Sequence, residues 1–332
     1  MYMKIIKLTL IFLFFFLTNS YSEENFDSWV IKFSDKAIKN GISQKTVDMV
    51  LKNVRFLPNV IKYDRYQPEF YEDTSTYINK RVNKKKIKKG SILYNKNKDI
   101  INEIENKFLV EKELLLALMG IETNYGNYLG KMDIVSSLAT LGYDKRRSEF
   151  FTNELLTVLI LVEEGLIDHE ILFGSWAGAF GNFQFMPTTI QRYAIDYDKD
   201  NKIDLKSIND SFASAANYIN KIGWKKNEPC FKKVELKNKP PNKFLNTSAR
   251  KIKHKKKLKF YKKYIKNYDN IKSLENHKTA IITPDKDIVD NANLFSPAFI
   301  VFDNYELILK WNRSLRFALA VCTLKESFSD EL

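Results

Sequence analysis

The stretch EKELLLALMGIETNYGNYLG, Glu111 to Gly130, puts a lone carboxylate, Glu122, at the end of a run crowded with Leu114, Leu115, Leu116, Leu118, Met119 and Ile121. A helix that apolar is buried on most sides, so the pattern predicts a poorly hydrated place for Glu122. Burial disfavours the ionised form of a carboxyl group and raises its pKa, which suits a general acid at neutral pH. The plain alternative is a helix-end glutamate that bonds a backbone amide or faces water.

A second segment, FGSWAGAFGNFQFMPTTIQRYAI, carries Gly174, Gly178 and Gly181 among small and aromatic neighbours. Such glycines permit close approach of backbone to a ligand, or equally tight core packing. Gln184 lies between Phe183 and Phe185, so its amide is expected to be buried and to need partners, from a ligand or from the chain itself. Pro187 suits the first turn of a following helix.

A third constellation is acidic. Asp196, Asp198, Asp200, Lys202 and Asp204 occupy alternate positions in DYDKDNKIDLKSIND, with helical patterns on both sides. Oxygen ligands at alternate positions, a carbonyl and a later carboxylate form an EF-hand-type calcium loop. The usual glycine is replaced by Asn201, which also tolerates the left-handed conformation, and Ser207 stands where a bidentate acid belongs. A strict loop therefore fails, and a longer one closed by Asp210 works. The competing reading is a solvated acidic turn. Calcium, in a structural role, is the stronger reading because these aspartates sit in a strongly basic chain.

Arg146 and Arg147 precede the apolar stretch Ser148 to Val162. Two adjacent guanidiniums could clamp an acidic group, but read locally they pair with Glu149 and Glu154.

The elements that must position these groups are mostly helical. WVIKFSDKAIKNGI ends at Gly41, Ser43 reads as the N-cap of the next helix, and Pro58 and Pro68 break the region beyond. Asn102 to Ala117 is expected to run as one helix into the Glu122 segment. Asp133 to Gly165 is expected to be helical with a loop at Gly142 to Lys145. From Lys225 to about Lys278 the chain becomes rich in lysine and asparagine with weak periodicity. Strand-like fragments follow at Thr279 to Thr283 and Phe295 to Phe302, and a closing helix, Arg313 to Phe328, returns Leu315, Leu319 and Cys322 to the core.

With 332 residues the chain can bury a large core, and 44% apolar content excludes a disordered protein. The formal charge of +14 is mostly lysine, with only nine arginines, a bias that source-genome composition could also produce. A positive field attracts nucleic acid, anionic lipid or an acidic wall polymer alike. The basic run Lys84 to Lys89 lacks interleaved aromatics and reads as a solvated helix face or loop.

Lys4 and Lys7, the apolar Leu8 to Leu17, and small residues at Ser20 and Ser22 match a secretory signal peptide, which puts the mature start near Glu23. That predicts a periplasmic chain and removes it from nucleic acid. An uncleaved anchor is the lesser reading, and no cysteine follows the apolar run for lipid attachment. Cys230 and Cys322 either pair or remain separate thiols. His169, His254 and His277 show no ligand spacing relative to them.

Together, DRYQPEF, GIETNYGNYLGKMDIVSSLATLGYDKRRSEFF, GSWAGAFGNFQFMPTT, ANYINKIGW and NYELILKWNRSLRFALAV, in this order, resemble the lytic murein transglycosylase B family, glycoside hydrolase family 103. The similarity spans about Phe26 to Leu324 and is weakest between Lys225 and Asn293. It implies a mainly α fold that, after the signal peptide read over 1–22, divides into a helical N-terminal domain over 23–110, a lysozyme-like core over 111–224, a small β-containing lobe over 225–302 and a closing helical segment over 303–332.

The resemblance implies cleavage of the β-1,4 bond between N-acetylmuramic acid and N-acetylglucosamine with closure of a 1,6-anhydro ring. No organic cofactor is expected, and the chain is expected to be a monomer. Glu122 falls on the catalytic position of the family. Ser175, Gln184, Tyr218 and Asn312 fall on cleft positions, and Arg146 and Arg147 on a pair that binds a peptide or lactyl carboxylate, against the local reading. Asp196, Asp198, Asp200, the Lys202 carbonyl and Asp210 match a lengthened calcium loop. Trp311, Phe317 and Phe150 depart from the family by replacing tyrosines or another hydroxyl-bearing aromatic; stacking on sugars would survive while the hydroxyl bonds are lost. A muramidase hydrolysing the same bond would need a carboxylate that activates water, and no motif supplies one. A non-catalytic wall-binding scaffold for synthesis or division proteins is the remaining alternative, weakened by the presence of Glu122, Ser175 and Gln184.

Overall fold

The computed structural model describes residues 25–67, 71–286, 288–329 and 331–332. The signal-like segment over 1–22 and Pro68 lie outside them. Helices α1 (Phe26–Lys39), α2 (Gln44–Leu51), α3 (Pro58–Arg65), α4 (Thr74–Arg81), α5 (Lys84–Lys96) and α6 (Lys98–Phe108) precede α7 (Lys112–Thr123), which carries Glu122. Their starts follow capping chemistry: Asn25, Ser43, Asp73 and Asn83 each accept a backbone N–H from the first turn of α1, α2, α4 and α5. Pro58 opens α3 at a position where no N–H is needed. Among the described residues, no helix is long and apolar enough to cross a membrane.

The expected continuous helix from Asn102 into the Glu122 segment is broken. Helix α6 ends at Phe108, Leu109 turns left-handed at φ 53°, and Glu111 becomes the residue before α7. The physical reason is the buried carboxylate of Glu111. It accepts bonds from Trp224 Nε1 at 2.5 Å, the Asn227 amide at 3.0 Å and Lys325 Nζ at 3.2 Å. Those anchors fix the chain direction at the start of α7.

After α7 the chain forms a two-stranded antiparallel ribbon, β1 (Met132–Asp133) with β2 (Phe173–Gly174). Between those strands lie α8 (Ile134–Tyr143) and α9 (Ser148–Glu163), then α10 (Pro187–Tyr193) and α11 (Ile208–Lys221) follow. Gly130 lets the chain entering the ribbon pass against β2: a Cβ on it would lie 2.0 Å from the Gly174 carbonyl oxygen.

The segment after α11 builds its own small core around Tyr261, Leu258, Ile265, Ile281 and Ile300. Its strands are β3 (Phe231–Val234), β4 (Leu245–Asn246), β5 (Lys256–Lys257), β6 (Lys278–Ile282) and β7 (Ala298–Val301), in the order β3-β7-β6-β4 with β5 paired to β6. The two strand-like fragments read from the sequence fall on β6 and β7. Helices α12 (Asp303–Trp311) and α13 (Leu315–Ser329) then return to the main core, where α13 packs along α7. Cys230 and Cys322 form a disulfide, with Cα atoms 6.1 Å apart, that ties the edge of the small sheet to α13. Asp285 adds a second tie, accepting from Arg316 Nη2 at 2.8 Å and from the Thr74 amide at 3.0 Å.

Candidate active site

Glu122 is half-buried one residue before the end of α7. The chain beyond it makes an unusual turn, with positive φ at Asn124, Tyr125 and Gly126 in succession. The Tyr125 ring folds back under the helix, and only glycine admits it: a Cβ on Gly120 would sit 2.6 Å from the tyrosine hydroxyl. Burial pushes the Tyr125 phenol above its ordinary range. The GIETNYG pattern is thus a helix stop that leaves Glu122 at a surface the chain no longer covers.

One partner of the glutamate comes from the far end of the sequence. Trp311 Nε1 donates to Glu122 Oε1 at 2.9 Å. The indole stacks on Tyr218 with centroids 5.1 Å apart, and Tyr218 stacks on Tyr193 at 4.4 Å. Phe183 and Phe185 meet Trp311 edge-on at 6.3 and 5.3 Å. Burial, then the neighbouring Tyr193, push the Tyr218 phenol up to about 12, so it stays protonated; its hydroxyl donates to the Lys310 carbonyl at 3.2 Å.

The loop between β2 and α10 is fixed to the same helix end. Thr123 Oγ1, beside Glu122, donates to the Asn182 carbonyl at 2.8 Å, and the buried Asn182 amide group donates to the Lys206 carbonyl at 2.9 Å and to Ser211 Oγ at 3.0 Å. Ser175 Oγ accepts from the amides of Ala177 at 3.3 Å and Ala179 at 3.0 Å, which folds the loop over itself. Gln184 is half-buried with φ 51°, and its Nε2 donates to the carbonyls of Gly181 at 3.1 Å and Leu129 at 3.3 Å. Its expected partners are therefore backbone groups of the chain. Asn312 lies half-buried directly after α12.

A model of the family described as the transglycosylase SLT domain matches residues 25–326. The chain belongs to the transglycosylase SLT domain family. Its sequence is 30% identical over 208 residues to the membrane-bound lytic murein transglycosylase B of Escherichia coli strain K12, covering 59% of this chain and 58% of that protein. The match thus spans somewhat more than half the length of this curated relative. Among solved structures, SltB3 from Pseudomonas aeruginosa in complex with NAG-anhNAM-pentapeptide aligns at TM-score 0.79 and 30% identity, over 92% of this chain and 80% of that one. The Escherichia coli lytic transglycosylase Slt35 in complex with calcium aligns at TM-score 0.73 and 25% identity, over 91% and 93%.

Within this SLT-family chain several residues depart from the sequence expectations. Arg146 and Arg147 do not pair with Glu149 and Glu154. Both reach the buried carboxylate of Asp64, and Arg146 also donates to the Asp64 carbonyl at 2.8 Å. Glu154 instead caps α10, accepting from the Thr188 amide at 2.9 Å and hydroxyl at 2.7 Å. The two guanidiniums remain 45% and 39% exposed, so Asp64 orients them without hiding them. Asp64 was missed because its partners lie more than eighty residues away; the acid in DRYQPEF was the available signal.

Trp311 has no hydroxyl to offer a sugar, and its indole N–H is spent on Glu122 itself. Phe317 is 3% exposed, so it offers no face to a sugar; Phe150 is 46% exposed and does. The run from Lys84 opens α5 with Lys84, Lys85 and Lys88 in solvent, but Lys86 turns inward and donates to the Gly120 carbonyl at 2.7 Å. Burial, with Arg81 and Lys89 nearby, brings its pKa down to about 8.

In the acidic loop, Asp196, Asp198 and Asp210 each offer an oxygen within 4.8 Å of the others. Asp200 is outside that trio and accepts the Lys202 amide at 2.8 Å instead. Lys199 and Asn201 are left-handed, at φ 64° and 70°, and Asp196 gathers the amides of Lys199 and Asn201 at 2.7 and 2.9 Å. Burial, then the charge of Asp198, raise the Asp210 carboxyl despite bonds from the amides of Tyr197 and Asp204. A convergent set of hard oxygens with an under-compensated buried acid fits a calcium ion.

Proposed function

We propose that this protein is a peptidoglycan lytic transglycosylase with Glu122 as its single acid and base. The observation that carries the reading is the Trp311 bond to Glu122 inside an aromatic wall. An indole N–H can only donate. With Trp311 on Oε1, a neutral carboxyl is favoured with its proton on Oε2, which orients the acid.

The neutral Glu122 gives that proton to the glycosidic oxygen as the bond to muramic acid C1 breaks, releasing the C4 hydroxyl of N-acetylglucosamine. The carboxylate then takes the proton of the muramic C6 hydroxyl as O6 bonds to C1. The ring closes, Glu122 is again protonated, and no water is consumed. Ser175, Gln184, Tyr218 and Asn312 would line the cleft, with Arg146 and Arg147 facing a substrate carboxylate. Crystallisation of SltB3 with NAG-anhNAM-pentapeptide supports this substrate class and product.

Calcium would be held by Asp196, Asp198 and Asp210, with the Lys202 carbonyl and Asp200 available on closing of the loop. The bonds from Asn182 to Lys206 and Ser211 connect that loop to the Glu122 helix end, so the ion would act by stabilising the site. The N-terminal segment supports a periplasmic location.

Digestion of peptidoglycan in isotopically labelled water tests the reaction. Products without the label mean intramolecular ring closure. Label at new reducing ends means a hydrolase with a second catalytic group.

A further inference from the structure

The positive charge of the chain is confined to one lobe. Residues 225–278 hold nineteen lysines and arginines against four acids, whereas the other 278 residues hold 35 against 36. Genome-wide codon bias would raise lysine throughout and would not deplete acids in one segment. The lobe's charge is therefore a local property of the molecule.

Sixteen of those nineteen basic side chains are exposed. Fourteen of the nineteen make no salt bridge among the described residues; the exceptions are Lys225, Lys226, Lys232, Lys255 and Lys266. Lys257 stands directly opposite Lys278 across β5 and β6, a like-charge pairing that costs stability unless an anion lies near. The charges emerge from strands, from the 3₁₀ segments Asn242–Phe244, Leu258–Tyr264 and Tyr268–Leu274, and from the loops between them. A polyanion that surrounds the lobe meets such a distribution better than a plane that touches one face.

We propose that this lobe is a docking surface for the carboxylates of peptide stems in the peptidoglycan mesh, which rests on the wall-substrate reading of the Glu122 site. Lysine point charges suit diffuse attraction to many spaced carboxylates, where arginine would serve fixed bidentate recognition. An anionic membrane is the less favoured occupant. Interfacial binding buries an apolar face, and among the described residues of the segment Phe260, at 42%, is the single large hydrophobic side chain that is exposed. The lobe would hold the enzyme on the wall between cleavage events and leave the chemistry at Glu122 unchanged.

The test uses the full mature chain carrying Glu122→Gln, so that binding is read without cleavage. Sedimentation with purified sacculi is measured against salt, for this chain and for one in which Lys256, Lys257, Lys259, Lys262 and Lys263 are also changed to Gln. Removal of five surface charges is expected to weaken sacculus binding by at least about tenfold at low salt, with the difference closing as screening rises. The unaltered lobe should also lose binding to sacculi whose carboxyl groups have been amidated, a result that needs no lysine variant to fold. With Glu122 intact, turnover of short soluble glycan fragments should stay within about twofold between the two lobes, since their contacts lie in the cleft.

Equal binding by both lobes, or full binding to amidated sacculi, overturns the proposal. So does retention on phosphatidylglycerol vesicles with none on sacculi, which would assign the lobe to membrane. A protein that binds sacculi as expected but cleaves nothing would refute the enzymatic reading and leave the docking surface standing.

Discussion

The helical core and the inserted lobe use charge in opposite ways. In the core, buried carboxylates are spent within the fold: Asp64 gathers Arg146 and Arg147, Glu111 gathers Trp224, Asn227 and Lys325, and Glu154 caps α10. In the lobe most cations face water and make no salt bridge among the described residues. A buried carboxylate must be satisfied within the fold or it costs several kcal/mol, about 3–5 when one partner of a pair is lost. An exposed lysine carries no such obligation and remains available to a ligand. The contrast separates a part built for position from a part built for attraction.

The sharpest way to break the comparison is at Glu122. Glu122→Gln keeps the shape and the ability to accept from Trp311, but removes the proton. It should lower kcat by about 10²–10⁴-fold while leaving the melting temperature and wall binding in place, because a general acid contributes that much. Substantial residual turnover would remove Glu122 from the role of acid.

Next in size is Trp311. Trp311→Phe keeps an aromatic face against Tyr218 but deletes the donor. A hydrogen bond to a charged group is worth about 1.5–3 kcal/mol, so kcat should fall about ten- to a hundredfold. KM should change little, and the alkaline limb of the pH profile, where the acid loses its proton, should move to higher pH, because a lost donor disfavours the carboxylate form. An unchanged profile would reduce Trp311 to packing.

The disulfide tests how far the two regions depend on each other. Cys230→Ser with Cys322→Ser opens a closed loop spanning 92 residues that contains all but the first few residues of the lobe. A loss of about 2–4 kcal/mol in stability is expected by denaturant unfolding, with activity on soluble fragments retained. No loss would mean that the tie through Asp285 and Arg316 suffices.

The smallest expected effect is at the acidic loop. Removal of calcium from the loaded protein should lower the melting temperature by about 5 °C, since an ion bound only by the folded chain stabilises it. An unchanged melting curve after chelation would leave Asp196, Asp198 and Asp210 as a solvated turn.

Sequence and structure agree where the cause is local. The apolar crowding before Glu122, the cap at Ser43 and the proline opening α10 are each decided within a few residues, and each stands in the structure. Disagreements arise where a partner lies far along the chain. The indole that binds Glu122 is 189 residues away and Asp64 is 82 from Arg146. Leu109 breaks the expected helix because Glu111 is needed by residues more than a hundred positions later. Phe317 looked like a cleft aromatic, but periodicity could not say that α13 is enclosed almost all round. The lobe's charge was visible in composition throughout; that most of its cations make no salt bridge among the described residues required the fold.

The central claim is tested most directly by mass spectrometry of purified peptidoglycan digested with the mature chain, with Glu122→Gln as control. Muropeptides ending in 1,6-anhydromuramic acid, lighter by one water than reducing-end products and missing from the control, are the expected result. Reducing ends from the native chain, or anhydro ends that persist in the control, would contradict it.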